Sequence, residues 1–455
     1  MPVTLDETYE RTLYGIPKER RQHAHRLFRC LVAAIRPLHV EELGEIFAIE
    51  FDEDAVPNLM EDWRPENAEE AVLSACSTLI SVVDDQGSKI VQFSHFSVKE
   101  FLTSDRLLTS EDGNIRHYYI PLDAAHTILA HACLTVLLQL DKNVNKKRLA
   151  TFPLAFYAAR HWADHAKFDG VASRAKLAME QLFNPSEPYF TGWTWIYDMD
   201  RDRFRQSIDE LPEHRSAPEA TALYYAALCG FSELADYLIS THGEDVNIRC
   251  GTFGTPLHAA SYKGHLETVR ILLDRGLDMD ATDGFLDKTP LSLANDHGYL
   301  EVMRLLLDYG ANADVQYDCW GLLSHYASYR GETEVIRLLM QHKSDVNAIS
   351  PRVNWTPLHF ASSFGHAKVA DVLLGHGAYI NAMDVDNETP LYRASKNGHL
   401  EVVRLLLKCG ANVHIPRKDG QTPFLVATSK GFTEIAQLLL KQGAEAEQGV
   451  VASTR

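Results

Sequence analysis

A period of 33 to 34 residues runs through the second half of the chain and constrains its fold more than any other feature. Thr-Pro pairs stand at Thr255-Pro256, Thr289-Pro290, Thr356-Pro357, Thr389-Pro390 and Thr422-Pro423. With Thr221-Ala222 and Leu322-Leu323 in equivalent slots, the steps are 34, 34, 33, 34, 33 and 33. Nine residues after each slot stands a glycine, from Gly230 to Gly431, and a second glycine follows in six of the seven copies, with Lys343 as the exception. Thr can cap a helix start, and Pro fits the first helical position, whose N–H has no partner. Glycine ends a helix in a left-handed conformation that it adopts cheaply. Between the glycines, Leu266, Val269, Leu272 and Leu273 recur at helical spacing. Such repeats are helix pairs that bury their apolar faces against their neighbours.

The segments TPLHAASYKGHLETVRILLDRG (255–276), TPLHFASSFGH and TPLYRASKNGHLEVVRLLLKCGANV closely resemble the ankyrin repeat. The resemblance implies an α-solenoid of about seven repeats with short hairpin loops over 217–446, and a frayed tail over 447–455. Ankyrin arrays perform no chemistry; they bind protein ligands on the concave face, with hairpin tips and the exposed end of each first helix. Carried onto this chain, the tip positions include Phe285 and Trp355. The helix positions give Tyr262, Lys263, Tyr329, Arg330, Phe364 and Lys396. Aromatic residues and Arg are common interface hot spots, although these side chains could instead pack on one another or on adjacent loops. The copy at 321–348 departs from the pattern at Leu322 and Lys343. A lost cap costs about 1 kcal/mol and a left-handed non-glycine roughly as much again, so this repeat is expected to be the weak joint.

The N-terminal third reads differently. HAHRLFRCLVAAIRPL (23–38), HVEELGEIFAIE (39–50) and NAEEAVLSACSTL (67–79) are expected helices, and LISVV and KIVQF flank a turn at Asp84-Asp85-Gln86-Gly87. Three helices and a hairpin make a winged helix over 1–105. RPLHVEEL, WRPENAEEAVLSACSTLISV and FSHFSVKEFLTS resemble the winged-helix domain of GPI inositol-deacylase type that follows the NACHT NTPase in fungal ankyrin-bearing receptors. That label implies no deacylase activity. In those receptors the histidine of a similar F-x-H-x-[ST] stretch contacts the β-phosphate of ADP, which makes His95 a nucleotide-sensing candidate. His95 could equally cap the helix that begins there. No Gly-Lys dipeptide occurs, so the chain lacks a P-loop of its own. Any nucleotide site would need a NACHT NTPase domain in cis or in trans, and the start at Met1 is compatible with a truncated receptor.

The remaining signals exclude more than they propose. A net charge of −18, with Glu66, Glu69 and Glu70 at the helix that would enter a DNA groove, argues against nucleic acid. Seven scattered cysteines contain no Cys-x-x-Cys pair, which suits a reducing compartment and excludes zinc ribbons. No signal peptide and no membrane-spanning run are visible, so the expected location is the cytoplasm. His161 and His165 have the spacing of zinc ligands, but Trp162 stands where a zincin needs Glu. Cys76 and Cys133 sit in apolar helical runs, and no Gly-x-Ser-x-Gly elbow exists. The expectation is a mainly α protein that is not an enzyme, with no cofactor. Its winged helix would be joined to the repeat array by a helical subdomain and linker over 106–216, with 191–204 as a packed linker. The function expected is protein–protein interaction and regulation, with the alternative of a sensor portion of a nucleotide-switched ATPase.

Overall fold

The structure, a computed structural model, describes residues 5–51, 56–85, 87–201, 203–204, 210–212, 218–284, 287–318 and 321–453. It divides into two compact units, 1–259 and 260–455.

The first unit opens with the expected winged helix. Helix Arg21–Ala33 buries Ala24, Leu27, Phe28 and Leu31 at helical spacing. Helices Val40–Phe47 and Ala68–Cys76 follow, the latter capped by Asn67, whose side chain accepts the Glu70 N–H at 3.1 Å. Strands Ile80–Asp85 and Ser88–Phe93 then pair antiparallel, and Leu38–His39 completes a three-stranded sheet with Leu38 opposite Val91. The hairpin turns at Gly87 (φ 93°), whose N–H donates to Asp84 Oδ1 at 3.0 Å. Lys89 on the wing pairs with Glu69 at 2.5 Å, so part of the acidic helix start is answered from within.

Helices Leu122–Leu137, Ala155–Ala166, Lys176–Phe183 and Tyr189–Ile196 form the helical segment that follows. Buried Glu45 ties it to the winged helix, accepting the Leu154 N–H at 2.7 Å and pairing with Arg64 at 2.6 Å. The helix Tyr189–Ile196 replaces the expected linker start. Phe190, Trp193, Thr194, Trp195 and Ile196 are all buried, so the helix has no polar face from which its period could be read. Its Trp193 donates to the Ala159 carbonyl at 2.9 Å.

The first repeat, helices Ala222–Cys229 and Ser232–His242, closes against this segment. Trp162 stacks on Phe231 at 5.4 Å, and Phe190 and Trp193 meet Tyr225 edge-on at 5.4 and 5.6 Å. Asp198 accepts from the Tyr225 hydroxyl at 2.6 Å. Asp200 accepts from the Tyr224 hydroxyl and, at 2.7 Å, from the Thr252 N–H. A terminal repeat must cover its open apolar side, and here large aromatic side chains do so.

In the second unit, helix pairs recur from Pro290–Asp296 with Leu300–Asp308 to Pro423–Ser429 with Thr433–Ser453. The first glycine of a repeat is doubly constrained. Gly331 and Gly365 sit at φ 79°, and a Cβ there would lie 2.6 Å from the imidazoles of His366 and His399. Those imidazoles reach back to the Tyr329 and Ser363 carbonyls at 2.9 Å each. Gly365-His366 and Gly398-His399 are therefore parts of the repeat turn. At the irregular copy, Lys343 does adopt a left-handed conformation (φ 63°), as the missing glycine predicts. Leu322 offers no cap, but His325 substitutes: Nδ1 accepts the Leu322 N–H at 3.0 Å, and Nε2 lies 2.9 Å from the Ala348 carbonyl. At the last copy, helix Thr433–Ser453 runs through Gly443, where the pattern predicts a stop.

Candidate protein-interaction surface

Successive loops of the second unit are held in register by a ladder of side-chain bonds. The Asn312 N–H donates to Asp280 at 2.9 Å, Asp345 to Asp314 at 3.0 Å, Tyr379 to Asn347 at 2.7 Å and Asn412 to Asn381 at 2.9 Å. The loop tips are thereby a fixed platform and the first helices present a row of side chains beside them.

Two of the expected contact residues come together on that row. Tyr329 and Phe364, at the ends of helices Leu323–Arg330 and Pro357–Phe364, meet edge to face with ring centroids 4.6 Å apart, and each remains 44% exposed. Behind them Tyr326 lies 6.3 Å from Tyr329 and stacks on Tyr317 at 4.4 Å; Lys288 sits over Tyr317 at 3.5 Å. The pair thus rests on a packed aromatic base, which preorganises it. Arg330 is exposed and lies 3.4 Å from Glu332.

Trp355 and Lys396 come together differently, around two buried carboxylates. The Asp384 and Glu388 side chains are 0% and 1% exposed. Arg393 bridges them, donating to Asp384 Oδ2 at 2.6 Å and lying 2.6 Å from Glu388 as an ion pair. Lys396 and Arg417 reach Glu388 at 3.1 and 3.2 Å. The Trp355 indole donates to Asp384 at 3.1 Å, with the Arg393 guanidinium 4.1 Å above its ring. Burial opposes ionisation of Asp384, yet Arg393 and the Glu388 and Asp386 N–H groups hold its carboxyl below the usual range. Beneath the network, burial pushes the His359 imidazole down to about 4, and its ring bonds to Thr356 and to the Glu388 carbonyl.

Sequence reasoning missed Arg393, although a signal existed. The slot four residues after each Thr position holds Tyr225, Ala259, Leu293, Tyr326, Phe360, Arg393 and Val426, so one charge stands among six uncharged side chains.

The other expected positions separate. Tyr262 is half-buried, edge-on to His297 at 4.5 Å, with Lys263 over its ring at 5.0 Å. Phe285 lies outside the described residues. In the first unit, His95 caps helix Phe96–Leu102, accepting the Ser97 N–H at 3.3 Å. It is exposed beside Phe96, which is 72% exposed. His165 spends both ring nitrogens on protein partners, His126 Nδ1 at 2.8 Å and the Tyr157 hydroxyl at 2.9 Å. Among the described residues no group of three or more His, Cys, Asp or Glu side chains could hold a metal ion, and no helix is long and apolar enough to cross a membrane.

Residues 9–112 match the family model "GPI inositol-deacylase, winged helix domain". The chain is 30% identical over 301 residues to "Azaphilone pigments biosynthesis cluster protein L" of Monascus ruber, covering 61% of this chain and 60% of that protein. It is 33% identical over 174 residues to "Ankyrin repeat protein nuc-2" of Neurospora crassa, covering 38% of this chain and 16% of that protein. The chain thus spans less than two thirds of the length of either relative. The crystal structure of the ankyrin repeat domain of Bcl-3 aligns with 49% of this chain and 100% of its own, at 26% identity and a TM-score of 0.45. The family model "Ankyrin repeats (3 copies)" matches 207–283, 223–317, 291–384 and 381–449, which together span more than half of the 455 residues, and the chain belongs to the ankyrin-repeat family.

Proposed function

We propose that this chain is a non-enzymatic interaction and regulatory module, in which the repeat array docks a protein ligand at the Tyr329–Phe364 edge. The exposed, mutually packed aromatic pair on a rigid repeat platform carries this reading. Tyr and Phe there offer apolar area that is already ordered, so binding pays little side-chain entropy. The winged helix and helical segment relay or restrain a signalling partner, as in a NACHT-ankyrin receptor-like protein of the fungal cytoplasm. The winged-helix match and the two relatives from filamentous fungi support that setting.

A second reading makes the chain the sensor and regulatory portion of a nucleotide-switched ATPase whose NACHT domain acts in cis or in trans. The exposed His95–Phe96 corner favours it, because the His95 Nδ1 holds the helix cap while its Nε2 is left to meet a phosphate from a docked partner.

Affinity capture with wild type and a Tyr329→Ala/Phe364→Ala variant tests the first reading. A partner lost from the variant, with its circular dichroism unchanged, is the expected result; the same partners on both would contradict it. Nucleotide-dependent binding of an isolated NACHT domain, abolished by His95→Ala, is the outcome that favours the second.

A further inference from the structure

The ends of the first helices in the second unit join into one strip. Three contacts link the residue seven places after one Thr slot to the residue eight places after the next. Tyr262 meets His297 edge-on at 4.5 Å, Tyr329 meets Phe364 at 4.6 Å, and Asn397 donates to the Ser363 carbonyl at 2.9 Å. Over the slots from Thr255 to Thr422 these places hold four cations, Lys263, Arg330, Lys396 and Lys430, against one carboxylate, Asp296. In a chain of net charge −18 this is a local reversal of sign. Asp296 is already answered by Lys288 at 3.6 Å and by the Tyr317 hydroxyl. Lys396 is spent on Glu388, and Arg330 has Glu332 at 3.4 Å. Lys263 and Lys430 differ. Both are exposed and form no ion pair among the described residues. The second helices balance their charges instead: Glu267, Glu301, Glu334 and Glu401 each have an arginine three residues on, at 3.5 to 3.6 Å.

Unanswered cations on a fixed surface attract a partner of opposite sign and repel one of the same sign. The exposed Tyr329–Phe364 pair lies between Lys263 and Lys430 along the strip and offers a ring or other apolar group a dry seat. The cations Lys263, Arg330 and Lys430 stand two or three repeats apart. That spacing suits a polypeptide with a few carboxylates better than the dense phosphates of a nucleic acid. Given the docking edge proposed above, on which this rests, we propose that its ligand is an acidic polypeptide segment with an aromatic anchor. The carboxylates lie along Lys263, Arg330 and Lys430, and the anchor sits on Tyr329 and Phe364. At roughly 10 Å per repeat, an extended segment of about 15 residues spans the strip.

Fluorescence anisotropy of the full chain with a labelled random copolymer of glutamate and tyrosine, beside polyglutamate and oligothymidylate, tests it. The copolymer should bind more tightly than either of the others, and more weakly as salt rises. Lys263→Glu/Lys430→Glu should weaken it roughly tenfold or more, because like charges then face each other. Lys368→Glu, which reverses an exposed charge on a second helix, should leave it unchanged. No copolymer binding to wild type, or equal affinity in the charge-reversed double variant, would overturn the proposal. Oligothymidylate bound as tightly as the copolymer would overturn it too. Binding lost in Tyr329→Ala/Phe364→Ala but indifferent to charge reversal would keep the docking edge and remove the acidic ligand. Binding sensitive to charge reversal but indifferent to the aromatic variant would remove the docking edge and keep the acidic ligand.

Discussion

Two neighbouring stretches of the array carry the residue types that favour interfaces, yet their side chains are committed differently. At Tyr329 and Phe364 the rings touch each other, rest on Tyr326 and leave nearly half of their surface open. At Trp355 the indole N–H is spent on Asp384 and the ring face is covered by Arg393. The first stretch is preorganised and available; the second is a filled polar network inside the fold. An aromatic residue in a contact slot is therefore a docking candidate only when its polar atoms and its ring faces are not already claimed.

The largest effect should come from breaking the filled stretch. Arg393→Met leaves Asp384 and Glu388 buried beside a neutral side chain, and removing one partner of buried charges costs about 3 to 5 kcal/mol. Urea unfolding should show that loss, whereas Tyr329→Ala should unfold within about 1 kcal/mol of wild type. Comparable losses for the two would erase the distinction.

Acid should act on the same stretch next. His359 falls from an ordinary 6.5 to about 4 in the fold because it is buried. Below pH 6.5 the unfolded chain takes up a proton that the folded chain refuses. Stability is thus lost as pH falls from 6.5 to about 4, by up to roughly 3 kcal/mol for this group, and no further below it. Urea midpoints measured across that window for wild type and His359→Gln should converge in acid; parallel curves would remove the histidine from the account.

The smallest effect concerns the irregular copy that carries Tyr329. Lys343→Gly relieves a left-handed lysine and should stabilise the array by about 1 kcal/mol. Hydrogen exchange should be faster in 321–348 than in 356–388 and slow in this variant. Equal exchange in the two repeats would show that His325 fully replaces the missing cap.

The array was legible because each of its signals is local. Thr389 caps its helix through the Tyr392 N–H at 3.2 Å, and the absent glycine at Lys343 marks an unusual backbone in the sequence itself. The winged helix was legible for the same reason, from apolar spacing and the Asp84–Gly87 turn. The helix Tyr189–Ile196 was not, since its all-round burial by partners distant in sequence erases any period. Nor could sequence separate Trp355 from Tyr329, because the network around Trp355 draws Asp384 from 29 residues away and Arg393 from the next repeat. Only the lone charge in an otherwise uncharged slot hinted at it.

The central claim is that the docking edge is Tyr329–Phe364 and not Trp355. Titration of a captured partner against three proteins tests it most directly: wild type, Tyr329→Ala/Phe364→Ala, and Trp355→Phe. Hot-spot losses of at least about 2 kcal/mol predict a roughly 30-fold weaker partner for the double variant. Trp355→Phe should bind like wild type while unfolding more easily. A double variant that binds normally beside a Trp355→Phe protein that, still folded, has lost the partner would contradict the account.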